Sequence, residues 1–94
     1  MSKESIRKTI ESVKGEIAKK RAEIASLRAQ KSADSARYAA QIQNTRDATA
    51  KANYRRLKAD SAARYDHRIA LHQTSIAGLQ QDLARLRAEL KYFK

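Results

Sequence analysis

The chain has 94 residues, 21 Lys and Arg against 10 Asp and Glu for a net charge of +11, no Pro, Cys or Trp, two Gly and eighteen Ala. A sandwich, barrel or doubly wound sheet needs turn residues every ten or so positions, so this composition excludes them and leaves an all-α chain. Disulfides and thiolate metal sites are excluded with the cysteines, and the length allows one small domain with little core of its own.

The first segment, Met1 to Ile10, carries Lys3, Arg7 and Lys8 but no apolar run behind them. No stretch approaches the roughly 18 apolar residues of a membrane span, so no membrane span is expected and the expected location is cytoplasmic. Ser2 is a candidate N-cap, with Glu4 in the first turn where the helix dipole favours an anion. From there a heptad seam runs through Ile6, Ile10, Val13, Ile17, Ile24 and Leu27, with Lys20 interrupting it. A second seam carries Tyr65, Ile69, Ile76, Leu79, Leu83, Leu86, Leu90 and Phe93, with His72 in its one polar slot.

Between these seams the strict heptad fails, and one extra four-residue step in each arm restores it. The steps fall at Leu27, Lys31, Ser35, Tyr38, Ile42 and at Tyr54, Leu57, Ser61, Tyr65. Such insertions locally unwind a coiled coil. The two arms mirror each other when residue numbers adding up to 96 are paired: Ile6 with Leu90, Ile17 with Leu79, Leu27 with Ile69, Ser35 with Ser61. The matched insertions place a turn near Ala48, with Asp47 or Thr49 as cap of the second helix. The reading is a single module, residues 1–94, folded as an antiparallel helical hairpin: helix 2–46, turn 47–50, helix 51–93.

Two features suit an alternative, one long helix in a parallel coiled-coil dimer. The turn contains neither Gly nor Pro. Glu16 and Glu23 at g positions, with Arg21 and Arg28 at e, also match the g-to-e pairing of parallel strands, as do Asp82 and Arg87. Exposed pairs of this kind contribute only a few tenths of a kcal/mol, too little to outweigh the mirrored seam.

A two-helix hairpin half-buries its seam, so a further packing face is expected. Ala18, Ala22, Ala25, Ala29, Ala33, Ala36 and Ala40 recur at steps of three and four, nearly opposite the Ile/Leu seam of the first helix, and Ala63, Ala70, Ala77 and Ala84 recur every seven on the second. Either Ala fills exposed positions as the best helix former, or the stripes close-pack in a dimer or four-helix bundle.

No catalytic constellation, glycine-rich phosphate loop or cofactor motif is present; Gly15 and Gly78 stand singly in helical pattern. His67 and His72, five apart, do not share a helix face as metal ligands would, and His72 reads as a half-buried seam residue that fixes register. A non-enzymatic chain with no metal and no cofactor is expected. The cations between Arg46 and Arg68, interleaved with Tyr54 and Tyr65, raise a second possibility, nucleic-acid contact through Lys51, Arg55, Arg56 and Lys58. Against it, the charge is spread evenly: eleven cations and six anions over residues 1–47, ten and four over 48–94.

The opening Met1-Ser-Lys-Glu-Ser-Ile-Arg-Lys, the Glu16-Ile-Ala and Glu23-Ile-Ala-Ser-Leu repeats and Ile76-Ala-Gly-Leu-Gln-Gln-Asp-Leu-Ala resemble short coiled-coil modules that precede TIR-type domains in some bacterial proteins. That resemblance implies a scaffold that oligomerises whatever is joined to it. The small secreted helical hairpins with Trp-x-Gly at the turn are a poorer comparison, since the chain has no Trp. Together these readings point to a coiled-coil oligomerisation or protein-interaction module whose partner is itself, as a dimer, or another helical protein.

Overall fold

In the computed structural model, which describes residues 2–93, the chain is a helical hairpin of two α-helices, α1 (Lys3–Asn44) and α2 (Ala48–Lys91). The alternative of one continuous helix is thereby corrected: α1 ends at Asn44 and the chain reverses through Thr45, Arg46 and Asp47.

Local chemistry fixes the helix ends. Ser2 caps α1, its Oγ accepting from the backbone N–H of Ser5 at 3.0 Å, while its carbonyl accepts from Ile6 at 3.1 Å. These bonds satisfy donors that a helix N-terminus leaves orphaned. At the other end of α1, the Thr45 hydroxyl donates to the Gln41 carbonyl at 2.8 Å. Asp47 then caps α2: its Oδ1 accepts from Thr49 N–H at 3.2 Å and its carbonyl from Lys51 N–H at 3.0 Å. Of the two candidate caps, Asp47 is the one used, so α2 begins at Ala48 rather than 51 and the turn covers 45–47 rather than 47–50.

The turn needs no glycine because none of the described residues takes a positive φ. Glycine is favoured after a helix where the chain enters the left-handed region, and this reversal never enters it. At the C-terminus α2 closes on a tight turn, Tyr92 N–H to Glu89 and Phe93 N–H to Leu90. Phe93 therefore lies past the helix at 39% exposure instead of continuing the seam.

The hairpin divides into two compact units. Unit 1 comprises the residues up to Glu23 and those from Leu71. Its buried core is Ile6, Ile10 and Ile17 from α1 with Ile76, Leu83 and Leu86 from α2. Val13, Leu79 and Leu90 are half-buried, as are the two polar seam residues Lys20 and His72. His72 Nε2 lies 3.1 Å from Glu23 Oε2, a contact that crosses from α2 to α1.

Unit 2 spans Ile24–Ala70 and contains the turn. Ile24, Leu27 and Ile69 are buried at the end of the unit away from the turn. Toward the turn the seam becomes polar, and its apolar members Ile42, Tyr54 and Leu57 are only half-buried.

Three side-chain contacts report the register: Glu23–His72, Lys31–Asp66 and Asp34–Tyr65. Their residue numbers add up to 95, 97 and 99, close to the 96 of the mirrored sequence pattern. Three of the ion pairs within the helices, Lys8–Glu4, Lys14–Glu11 and Arg85–Asp82, are solvent-accessible and contribute little.

Candidate functional site: the polar interruption of the seam in unit 2

Where the seam takes its extra four-residue step, Ser35 and Ser61 stand in place of Ile or Leu. Ser61 is buried at 7% exposure, the one polar side chain in the core among the described residues, and Ser35 is half-buried. No buried side-chain N or O atom among the described residues lacks a hydrogen-bond partner. Small polar side chains in the seam leave space between the helices, and the two flanks of that space differ.

One flank is closed by a polar network. Tyr65 Oη donates to Asp34 Oδ2 at 2.7 Å, and Arg37 Nη2 lies 3.1 Å from Asp34 Oδ1. The Arg37 guanidinium also sits over the Tyr38 ring, 5.6 Å from its centroid, a cation–π geometry. Arg64 and Arg68 line the same flank beside Ser61.

The phenol of Tyr65 is raised above its ordinary value of 10.0, first because it donates to the Asp34 carboxylate, then through burial and the Asp34 charge; Arg68 and Arg37 pull the other way. A phenol held neutral in the fold stabilises it fully below the unfolded value, and that contribution disappears as pH rises through the folded value. Absorbance titration at alkaline pH is expected to show a step from Tyr65 above its ordinary value. That step should vanish in Tyr65→Phe and move down in Asp34→Asn. An unchanged titration in Asp34→Asn would remove the carboxylate as its cause.

The other flank is open. Ser35, Ala39 and Ile42 on α1 and Ala59 and Ala62 on α2 form the wall and floor of a groove of about 490 Å³, with Arg55 and Lys58 on its rim. The groove continues along α1 past Ala36 and Ser32 to Lys31 and Arg28. Lys31 is engaged by Asp66 at 2.6 Å. Arg28, Arg55 and Lys58 have no carboxylate partner among the described residues.

Three of the four cations singled out for nucleic-acid contact, Lys51, Arg55 and Lys58, share one side of α2 at i, i+4 and i+7, and Arg56 does not. Arg55 and Lys58 line the groove. Arg56, about 100° further round the helix, donates to Asn53 Oδ1 at 2.9 Å, and Lys51 is half-buried in the first turn of α2. Arg28, read from the sequence only as an e position, joins Lys58 along the same groove instead. Asp34 had no assigned role; its one sequence signal was its place beside Ser35, where the seam steps.

All of the stripe alanines are exposed: Ala18, Ala22, Ala25, Ala29, Ala33, Ala36 and Ala40 on α1, and Ala63, Ala70, Ala77 and Ala84 on α2. Among the described residues no helix is long and apolar enough to cross a membrane, and no group of three or more His, Cys, Asp or Glu side chains could hold a metal ion. No protein family, curated protein or solved structure matches this chain.

Proposed function

We propose that the protein is a non-enzymatic coiled-coil module that self-associates as a dimer and serves as a scaffold. The observation that carries this reading is the exposure of the alanine stripes on the side of each helix opposite its seam. Small side chains at helical spacing let two helix backbones approach closely, and a two-fold axis places one such stripe against its copy.

Area supports it. The chain exposes 6928 Å², whereas a folded monomer of 10.6 kDa exposes about 5,500 Å². The surplus, about 1,400 Å², exceeds the roughly 800 Å² that each partner buries in a standard interface. The resemblance to oligomerising coiled-coil modules agrees with the same role.

Light scattering across a concentration series tests the proposal. The wild-type chain is expected at twice its 10.6 kDa mass. Ala25→Arg with Ala29→Arg, both at exposed positions, should return it to the monomer with its helicity intact. A wild-type chain that stays monomeric at about 100 μM, weaker than most specific protein contacts, would overturn it.

A further inference from the structure

We infer that the open groove in unit 2 is the seat of an acidic amphipathic helix from a partner protein. This goes beyond self-association and does not depend on it, because the groove and the stripes share only Ala36.

The groove offers two kinds of contact at once. Its floor is small and apolar, with Ala39, Ala59 and Ala62 beside Ile42, so a third helix can lie close against α1 and α2 at ordinary helix-packing distances. Its rim is cationic. Arg28 stands at one end, and Arg55 and Lys58 stand toward the turn. By the hairpin register, Arg55 lies level with residue 41, so Arg28 and Arg55 are separated by about 20 Å, roughly four turns of a docked helix.

Two carboxylates of unit 2 are already committed, and Asp60, two residues past Lys58, lies on the far side of α2. Asp66 is held by Lys31, and Asp34 on the opposite flank is held by Tyr65 and Arg37. The rim is thus left to an incoming acid, and a helix with an apolar face flanked by Glu or Asp satisfies floor and rim together.

Two other occupants fit less well. A second copy of this chain carries +11, and like charges meeting across the rim repel. Nucleic acid would use the rim but waste the apolar floor. No tyrosine lines the groove for its bases to stack on, since Tyr38 and Tyr65 line the opposite flank with Asp34 and Tyr54 is half-buried in the seam.

The test is calorimetric titration of the full chain at low and high salt with two synthetic helical peptides of about 20 residues, long enough to span the four turns. They share one Leu/Ala face and differ only in carrying Glu or Gln along its flanks. A single-stranded and a duplex oligonucleotide complete the set. The Glu peptide is expected to bind at least about tenfold more tightly than the Gln peptide at low salt, the difference shrinking as salt rises. Arg55→Glu with Lys58→Glu should lose about tenfold or more, and so should Ala39→Phe, which fills the floor. The equal charge change on the closed flank, Arg64→Glu with Arg68→Glu, should lose far less. Circular dichroism on each variant separates loss of binding from loss of fold.

Equal binding of the two peptides, equal losses on both flanks, or no peptide binding at about 100 μM each overturn the inference. So does an oligonucleotide that binds more tightly than the Glu peptide and is insensitive to Ala39→Phe, which would make the rim a phosphate contact. A monomeric chain that still binds the Glu peptide at this groove would refute the dimer alone and leave the inference standing.

Discussion

Ile17→Asp is expected to unfold the hairpin. Ile17 is 5% exposed in the seam of unit 1, and its register partner Leu79 is half-buried across from it. The substitution removes one of the few well-buried aliphatic side chains and puts a carboxylate in its place. Lys14, Arg21 and Arg87 line a cleft beside Ile17 and offset part of that charge, so the combined loss, chiefly of aliphatic burial, is about 3 kcal/mol or more. A domain of this length has about 5–14 kcal/mol in total, and one seam with nine buried apolar residues places it toward the low end. Circular dichroism should show lower helicity and a midpoint tens of degrees below wild type, or no cooperative transition. Leu83→Asp, at 9% exposure on α2, should do the same. Ala18→Asp, one residue away and exposed, should change stability by no more than about 0.5 kcal/mol. If neither seam variant lowers helicity while Ala18→Asp does, the seam has been assigned to the wrong face.

The contrast between Ile17 and Ala18 explains why so much of the fold is legible in the sequence. A helix repeats every 3.6 residues, so membership of the seam depends on spacing alone, and spacing is fully present in the chain. Even the polar break is visible, because a four-residue insertion in one arm requires an insertion at the mirrored place in the other. That symmetry located Ser35 and Ser61, and with them the register. The reversal was legible to within three residues. Asp47 carries the capping signal, but a search guided by Gly and Pro finds nothing at a turn whose backbone stays at negative φ throughout.

What spacing cannot supply is the flank. Asp34 and Ser35 are neighbours in sequence, yet Asp34 faces Tyr65 while Ser35 opens onto the groove. The sign of that offset depends on which side of α1 receives α2, a three-dimensional choice that one-dimensional periodicity does not encode. The same choice separates Arg55 from Arg56. A run of cations reads as one patch in the sequence and becomes two surfaces about 100° apart on the helix. Phe93 escapes periodicity for another reason. The spacing continues to it, but the helix stops at Lys91 and closes on a tight turn, Tyr92 N–H to Glu89 and Phe93 N–H to Leu90.

Gly15→Ala combined with Gly78→Ala should raise stability, by less than a single seam change lowers it. Both glycines lie inside helices at exposed positions with no positive φ, and a Cβ added at either meets nothing within 4 Å. Glycine in a helix interior costs roughly 0.5–1 kcal/mol relative to Ala through backbone entropy. The double variant should therefore gain about 1–2 kcal/mol and melt some 5–15 °C higher, at the 4–8 °C per kcal/mol typical of a domain this small. The two sites differ in one respect. Gly15 stands three residues before Ala18, in line with the stripe proposed as the dimer interface, where a second helix packed on it would meet the added methyl at close range. Melting at two concentrations reads this directly. At high concentration Gly15→Ala should gain less than Gly78→Ala, and dilution below the dimer dissociation constant should bring the two gains together. Equal gains at both concentrations would place Gly15 outside the interface and begin it at Ala18 or beyond.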